Sequence, residues 1–343
     1  MFPENYYMKP YIHKLHNREN LTRGEIEDVM RLIMSGKAVK EDIMAFLLAL
    51  RAKGPTVDEI TGAAKILREY VIPIKTKHTT ILDTCGTGGD KKNTFNISTI
   101  TALVVAGAGV VVAKHGNRSV SSRCGSADIL EAVGVNINVE EQHLSACLDE
   151  LGIAFLFAQQ LHPAMKNVAV IRKELGVETI FNILGPLTNP AKATHQILGV
   201  YNRDLVEPMA NVLKNLGLKR ALVVHGSDGL DEITSTAQTF IGEYDGKEIF
   251  TYDIMPDEFG LAPAQPQDLE GGDLATNVRI FEDILAGKKG PQRDVVVINA
   301  AYAFYVVERV KNINEGITLA QDSIDSGRAG KKLEALKEFT RRA

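Results

Sequence analysis

The sequence has only three cysteines in 343 residues, Cys85, Cys124 and Cys147. They form no Cys-x-x-Cys pair and no even-numbered framework, which argues against structural zinc and a disulfide scaffold and places the chain in a reducing cytoplasm. No apolar stretch reaches the roughly 18 residues of a membrane span, and Met1 to Tyr11 carries prolines and charges instead of an apolar signal core. Neither membrane insertion nor secretion is expected. An excess of basic charge is also missing: 39 Lys and Arg face 43 Asp and Glu, a formal net charge of −4 with a pI near 6.1. This balance disfavours nucleic acid as a partner and suits a small anionic ligand held at one local basic site. Neither G-x-G-x-x-G nor G-x-x-x-x-G-K-[ST] occurs, so a dinucleotide fold and a P-loop both lose ground.

What is present is an ordinary globular composition, 45% hydrophobic and 24% charged, in a chain long enough for two domains. The first seventy residues read as helices. Thr22-x-x-Glu25 and Thr56-x-x-Glu59 are capping boxes, the first ahead of Ile26, Val29, Met30, Ile33 and Met34 on one face. A helix over Lys40 to Lys53 lies between them, closed by Gly54-Pro55. Apolar faces this wide on short helices need a docked domain or a second subunit to cover them. From about Thr79 the pattern changes to β-branched strands alternating with helices, which predicts a parallel α/β sheet. The strands are expected at Thr80–Thr84, Gly109–Ala113, Ile153–Ala158, His195–Tyr201, Arg220–His225 and Asp294–Ile298. Phe181-Asn182-Ile183-Leu184-Gly185-Pro186-Leu187-Thr188-Asn189-Pro190 cannot continue as helix and marks a domain crossing. Arg328 to Arg342 reads as a solvated helix face.

The densest chemical signal is Asp83-Thr84-Cys85-Gly86-Thr87-Gly88-Gly89-Asp90. Three glycines in four residues expose backbone N–H groups, and the helix opening at Asn96-Ile97-Ser98-Thr99 adds unpaired donors and a positive dipole end. Such a loop is also a common tight turn. Its reading as a phosphate cradle gains from a second polar loop one strand later, Lys114-His115-Gly116-Asn117-Arg118, followed by Ser119-Val120-Ser121-Ser122 and Ser126. In a parallel sheet both loops face one crevice at the carboxyl ends of the strands. Lys114 is a point charge suited to phosphate. Asp231-Glu232, after the strand Arg220–His225, offers the few carboxylates that magnesium takes beside substrate phosphates. Cys85 reads as a packed strand-end thiol, since no histidine spacing marks a partner for a nucleophile.

Taken in order, GTGGD at Gly86–Asp90, NIST at Asn96–Thr99, KHGNR at Lys114–Arg118, HPAMK at His162–Lys166, FNILGPLTNP ending at Pro190 and DGLDE at Asp228–Glu232 resemble the anthranilate phosphoribosyltransferases, enzymes of tryptophan biosynthesis. The resemblance spans nearly the whole chain. It implies an α/β class protein with a small all-helical domain, residues 1–75 joined by about 163–183. Beside it would stand a larger α/β domain with a mostly parallel central sheet, residues 76–162 and 184–343, as in nucleoside phosphorylases. It further implies a homodimer, Mg2+ as cofactor, and anthranilate and 5-phosphoribosyl-1-diphosphate as substrates. The sugar diphosphate would meet Gly86, Gly89, Asp90, Thr94, Asn96, Ile97, Ser98 and Thr99, then Lys114, His115, Gly116, Asn117, Arg118, Ser119, Val120, Ser121, Ser122 and Ser126. Ser98, Asp231 and Glu232 would serve magnesium. Gly86, His115, Asn117, His162 and Arg172 would serve anthranilate, with Arg172 on its carboxylate, and no proton-transfer residue is assigned. The chain departs from the family at Lys91-Lys92-Asn93, where a further glycine is frequent and a stiffer loop is expected, and at Ala158-Gln159-Gln160-Leu161, where an Ala-Pro pair is frequent. The competing expectation is a pyrimidine nucleoside phosphorylase, against which Asp231-Glu232 and the full KHGNR segment count.

Overall fold

The computed structural model describes residues 8–119 and 124–342. Seven strands form one sheet: β1 Leu82–Thr84, β2 Val112–Gly116, β3 Ile153–Phe157, β4 His195–Gly199, β5 Arg220–Gly226, β6 Thr239–Tyr244 and β7 Ile249–Ile254. Their spatial order is β3-β2-β1-β4-β5-β6-β7. The first five pair in parallel, and β5–β6 and β6–β7 pair antiparallel. The chain moves outward from β1 through β2 to β3, then returns to place β4 on the other side of β1. That reversal is a topological switch point, where parallel sheets open a crevice at the carboxyl ends of their strands.

Both faces of the sheet are covered. Leu222 and Val224 of β5 face one core with the helices Ile97–Gly107, Pro291–Val306, Ile313–Asp325 and Arg328–Arg341. Ala221 and Val223 face a second core with the helix Val206–Asn215 and the N-terminal helices. Those helices start where the capping boxes place them: Thr22 and Thr56 accept from the backbone N–H groups of Glu25 and Glu59, and both glutamates reach back. Most of their apolar residues are covered within the chain, against Val168, Ile171, Phe181 and Leu184 and against Leu198 and Val200 at the sheet, while Val39 and Leu48 stay exposed. The Glu59 side chain is fully buried, accepting from Leu21 N–H at 2.8 Å, Thr56 N–H at 2.7 Å and Lys53 Nζ at 2.8 Å. Arg68 donates to the carbonyls of Leu187 and Leu216, fastening the last N-terminal helix to the Pro186 crossing segment.

Two expectations need correction, and one element is missing from them. Asp294–Ile298 is not a strand but part of the helix Pro291–Val306, which Pro291 starts. Its β-branched run Val295-Val296-Val297-Ile298 is buried all round, and burial overrides the strand preference of such residues. The strand read at Gly109–Ala113 instead runs Val112–Gly116, because Gly109 takes a φ of +90° in the turn leaving the preceding helix. Lys114, His115 and Gly116 are therefore strand residues, not loop residues. The hairpin β6–β7 is absent from the sequence reading; its outer strand is largely exposed, so it lacks the apolar run that marks the others. The terminal helix Arg328–Arg341 is amphipathic, sinking Ala329, Leu333 and Leu336 and leaving its charges to solvent.

Candidate active site

A cleft of about 960 Å³ opens over the carboxyl ends of β1 to β5. It is lined by the glycine loop after β1, the loop after β2, the His162 segment after β3, Tyr201 after β4, the acidic turn after β5, and Arg172 and Phe181 from the crossing region. The glycine loop coils tightly, with positive φ at Gly88 (+63°), Gly89 (+84°), Lys91 (+59°) and Asn93 (+53°). Lys91 thus takes the left-handed conformation that a glycine would adopt without strain. The loop is tied to its neighbours: Thr87 N–H donates to Gly199 O at 2.8 Å and Gly88 N–H to an Asp231 carboxylate oxygen at 2.8 Å. Gly86 lies so near that turn that a Cβ on it would stand 2.6 Å from Asp231 Oδ2. Asn96, Ile97, Ser98, Thr99, Gly89, Asp90 and Thr94 line the same wall.

Lys114 is 4% exposed. Its ammonium donates to Thr84 O at 2.5 Å and to Ser98 Oγ at 3.4 Å, so β2 carries a fixed positive charge beneath the helix start. Beside it Asp83 accepts from His115 N–H at 3.1 Å and Asn189 Nδ2 at 2.7 Å, while burial raises its carboxyl to about 6. Asp83, Cys85 and His115 bring potential ligand atoms within 4.8 Å of one another. That carboxylate is already committed to strand contacts. The Cys85 thiol is pushed far up by burial and by the charges of Asp83, Asp231 and Glu232, which agrees with a packed thiol and not a nucleophile.

Asp231 and Glu232 follow the turn in which Gly226 N–H donates to Leu230 O at 2.8 Å and Asp228 accepts from Thr234 Oγ1 at 2.7 Å. They lie in a loop, not in a helix's first turn. Burial raises both carboxyls; repulsion from Asp90 adds to the shift on Asp231, and repulsion from Asp231 and Asp90 to that on Glu232. Lys114 and a hydrogen bond from Ser98 partly offset the shift of Glu232. Asp90, Asp231, Glu232 and Ser98 are oxygen donors that line one part of the cleft, without the mutual approach within 4.8 Å that Asp83, Cys85 and His115 show. Such donors fit magnesium, a hard cation that takes oxygen ligands.

Next to Lys114 on β2, His115 approaches His162 with Nε2 to Nε2 at 3.0 Å and ring centroids 5.0 Å apart. Burial depresses His162 to about 4 and holds His115 well below its ordinary value, with His162 and Lys114 adding to the latter. Both rings are neutral at pH 7, one donating to the other. Asn117 Oδ1 accepts from Arg118 N–H at 2.8 Å and Gln159 Nε2 at 3.2 Å, leaving the Asn117 amide nitrogen as its donor. Arg172 projects from the helix Lys166–Leu175, half-buried, its guanidinium 5.7 Å from the Phe181 ring centroid.

Most of the residues proposed from sequence are gathered in this cleft, with Gly116, Ser119 and Ser126 among them. Arg118 lines it too, but its guanidinium is paired with Asp128 at 2.9 Å and Glu131 at 2.9 Å, so its charge is already neutralised. Val120, Ser121 and Ser122 fall outside the described residues. Tyr201, Gln159 and Phe181 line the cleft although the sequence does not single them out as ligands. Position after a strand at the switch point is the one available signal for Tyr201.

The fold and site define a glycosyl transferase built of a helical bundle and an α/β domain. Residues 9–71 match the glycosyl transferase family, helical bundle domain, and residues 78–330 match the glycosyl transferase family, a/b domain. Among full-length relatives, the anthranilate phosphoribosyltransferase of Acetivibrio thermocellus is 52% identical over 333 residues, covering 97% of this chain and 96% of its own. That of Symbiobacterium thermophilum is 50% identical over 335 residues, covering 98% of each. The crystal structure of the Thermus thermophilus enzyme superposes with a TM-score of 0.91 at 41% identity, covering 96% of this chain and 99% of that one. The Saccharomyces cerevisiae enzyme in complex with PRPP (5-phosphoribosyl-1-diphosphate) and Mg gives 0.89 at 28% identity, covering 98% of each. The chain belongs to the anthranilate phosphoribosyltransferase family.

Proposed function

We propose that this chain transfers the phosphoribosyl group of 5-phosphoribosyl-1-diphosphate to the amine of anthranilate. In that reaction the anomeric C–O bond to diphosphate breaks, the C–N bond forms, and the amine loses one proton; the products are N-(5-phosphoribosyl)anthranilate and diphosphate. The observation that carries the reading is the meeting of two unlike walls at the switch point. One wall has the glycine loop, buried Lys114 and the acidic turn, all suited to diphosphate and its counterion. The other has Arg172, His162 and Phe181, suited to an aromatic carboxylate, with His115 on β2 beside Lys114 joining the two through His162.

The leaving group is the chemical difficulty, since negative charge grows on diphosphate while the ribose becomes oxocarbenium-like. Lys114 is held by strand contacts and meets that charge without reorganising. The glycine loop presents backbone N–H groups, and Gly88 N–H can pass from Asp231 to a phosphate oxygen. Asp231, Glu232 and Ser98, with Asp90 beside them, would hold magnesium, which when bound supplies positive charge to the departing diphosphate. Arg172 would orient anthranilate through its carboxylate. The aniline nitrogen attacks in its neutral form, so neutral His115 and His162 serve as wall and hydrogen-bonding partners and need not ionise. We include in the reading a homodimer and the two-domain division at residues 1–75 with 163–183.

The test follows anthranilate fluorescence with purified protein, magnesium and the sugar diphosphate, omitting each in turn. Loss of signal only in the complete mixture supports the reading. Unchanged fluorescence with phosphorolysis of uridine or thymidine moves the chain to the nucleoside phosphorylases.

A further inference from the structure

The helix Pro291–Val306 is buried nearly all round and carries one amide at its centre, Asn299, 2% exposed. That amide is fully engaged with the acidic turn. Its Oδ1 accepts from Ile233 N–H at 3.1 Å, and its Nδ2 donates to Ile233 O at 2.8 Å and to Val295 O, one helical turn back, at 2.8 Å. Both backbone groups of the residue after Glu232 are thus bound by one side chain, as a sheet neighbour would bind them. Asn299 also shares a small cavity with Ser98, Thr101 and Glu232, directly beneath the glycine loop. The turn has other supports: Gly88 N–H donates to the Asp231 carboxylate at 2.8 Å, Asp228 accepts from Leu230 N–H at 3.1 Å and from Thr234 Oγ1, and Thr234 N–H donates to Thr239 Oγ1 at 3.1 Å. The Asn299 pair grips the chain immediately beside the two carboxylates.

We propose that Asn299 is a positioning residue for the metal-binding carboxylates, fixing the backbone at Ile233 so that Asp231 and Glu232 face the glycine loop and Ser98. The physical need is plain. Asp231, Glu232 and Asp90 repel one another, so without an anchor the turn would relax away from the glycine loop when no cation is present. A buried amide is a suitable anchor, because it carries no charge of its own into an already crowded acidic site and its cost of burial is offset by three hydrogen bonds. The inference rests on the reading of Asp231 and Glu232 as magnesium ligands.

The experiment is calorimetric titration of the full chain with Mg2+ in the presence of the sugar diphosphate, paired with thermal unfolding. Asn299→Leu removes both Ile233 contacts at similar volume; Asn299→Ser keeps one hydroxyl in reach. Ser323→Ala is the structural control, because Ser323 is fully buried in the same domain and donates to Val104 O at 2.7 Å. Loss of a partner that orients metal ligands typically weakens metal binding about 10- to 100-fold. N299L should therefore raise the Mg2+ dissociation constant by at least about tenfold, with N299S between it and wild type, while S323A leaves it within about twofold at a similar loss of melting temperature. N299L binding Mg2+ like S323A, or both Asn299 variants failing to fold, would overturn the proposal in favour of a purely structural amide. The double variant D231N/E232Q separates the two levels. If it abolishes Mg2+ binding while N299L does not weaken it, only the Asn299 role falls; if it binds Mg2+ normally, the metal reading falls and the Asn299 role with it.

Discussion

Replacing Gly199 by alanine should disable turnover while leaving the chain folded. Gly199 ends β4 with its backbone pressed against the acidic turn, and a Cβ placed there would stand 1.6 Å from Asp231 O and 2.6 Å from Asp231 C. Those are backbone atoms, which cannot rotate aside as a flexible side chain would. Ordinary contact begins near 3.4 Å, so strand and turn must separate by about 1.8 Å. A misplacement of roughly 1 Å at a reacting centre costs about 10²-fold in rate, so kcat should fall by two orders of magnitude or more. Overpacking of this kind destabilises by about 1–3 kcal/mol, which a domain with two extensive cores should survive. The assay is steady-state kinetics with anthranilate fluorescence, with the Mg2+ concentration for half-maximal rate measured beside melting temperature. Gly24→Ala is the control, since a Cβ there meets nothing within 4 Å. A folded G199A enzyme with kcat and Mg2+ requirement within about twofold of wild type would refute the claim that Asp231's position sets the rate.

Four further outcomes follow from the same geometry. Arg172→Ala should raise the KM for anthranilate about tenfold or more, the worth of a charge-assisted hydrogen bond, and change that for the sugar diphosphate little; equal effects on both would remove Arg172 from the carboxylate. Because the Asp231 and Glu232 carboxyls are raised in the fold, the folded chain binds more protons than the unfolded one above about pH 4, and stability without metal falls as pH rises through their folded pKa values. Magnesium should relieve this, so the Mg2+-induced gain in melting temperature, read by scanning calorimetry, should be larger at pH 8 than at pH 6 and vanish in D231N/E232Q; a gain independent of pH would contradict the assignment. Glu59→Ala takes the carboxylate from the buried Lys53 ammonium, which keeps the neutral acceptors Asn20 Oδ1 and Gly54 O, and strands two backbone donors; denaturant unfolding should show a loss of about 3–5 kcal/mol, and a loss below about 1 kcal/mol would mean that water reaches the pair. Sedimentation should give a dimer at micromolar concentration, and a monomer would remove that part of the proposal.

How much of this is legible in the sequence depends on whether a signal is local. Capping boxes at Thr22 and Thr56 are chemistry within four residues, and the helices begin there. The glycine loop and Lys114-His115 are readable as ligand chemistry because each stands at a strand's carboxyl end, which any parallel sheet turns toward its crevice. Val295 to Ile298 mislead because β-branched residues buried on every side give no period. The question of what covers the N-terminal helices needs the tertiary structure, since Leu198 and Val200 of the sheet lie over a hundred residues away. Asn299 is invisible for the same reason: an asparagine in an apolar helix gives no hint that its partner is the backbone 66 residues earlier. The neutral state of His115 and His162 likewise comes from burial that spacing does not reveal.

The most direct test of the central claim is phosphorus NMR of a single-turnover mixture of enzyme, Mg2+, anthranilate and 5-phosphoribosyl-1-diphosphate. The account predicts stoichiometric conversion of the diphosphate ester into free diphosphate and one phosphomonoester that carries the anthranilate chromophore. Diphosphate released without that aryl product, or no change unless uridine and inorganic phosphate replace the substrates, would contradict it.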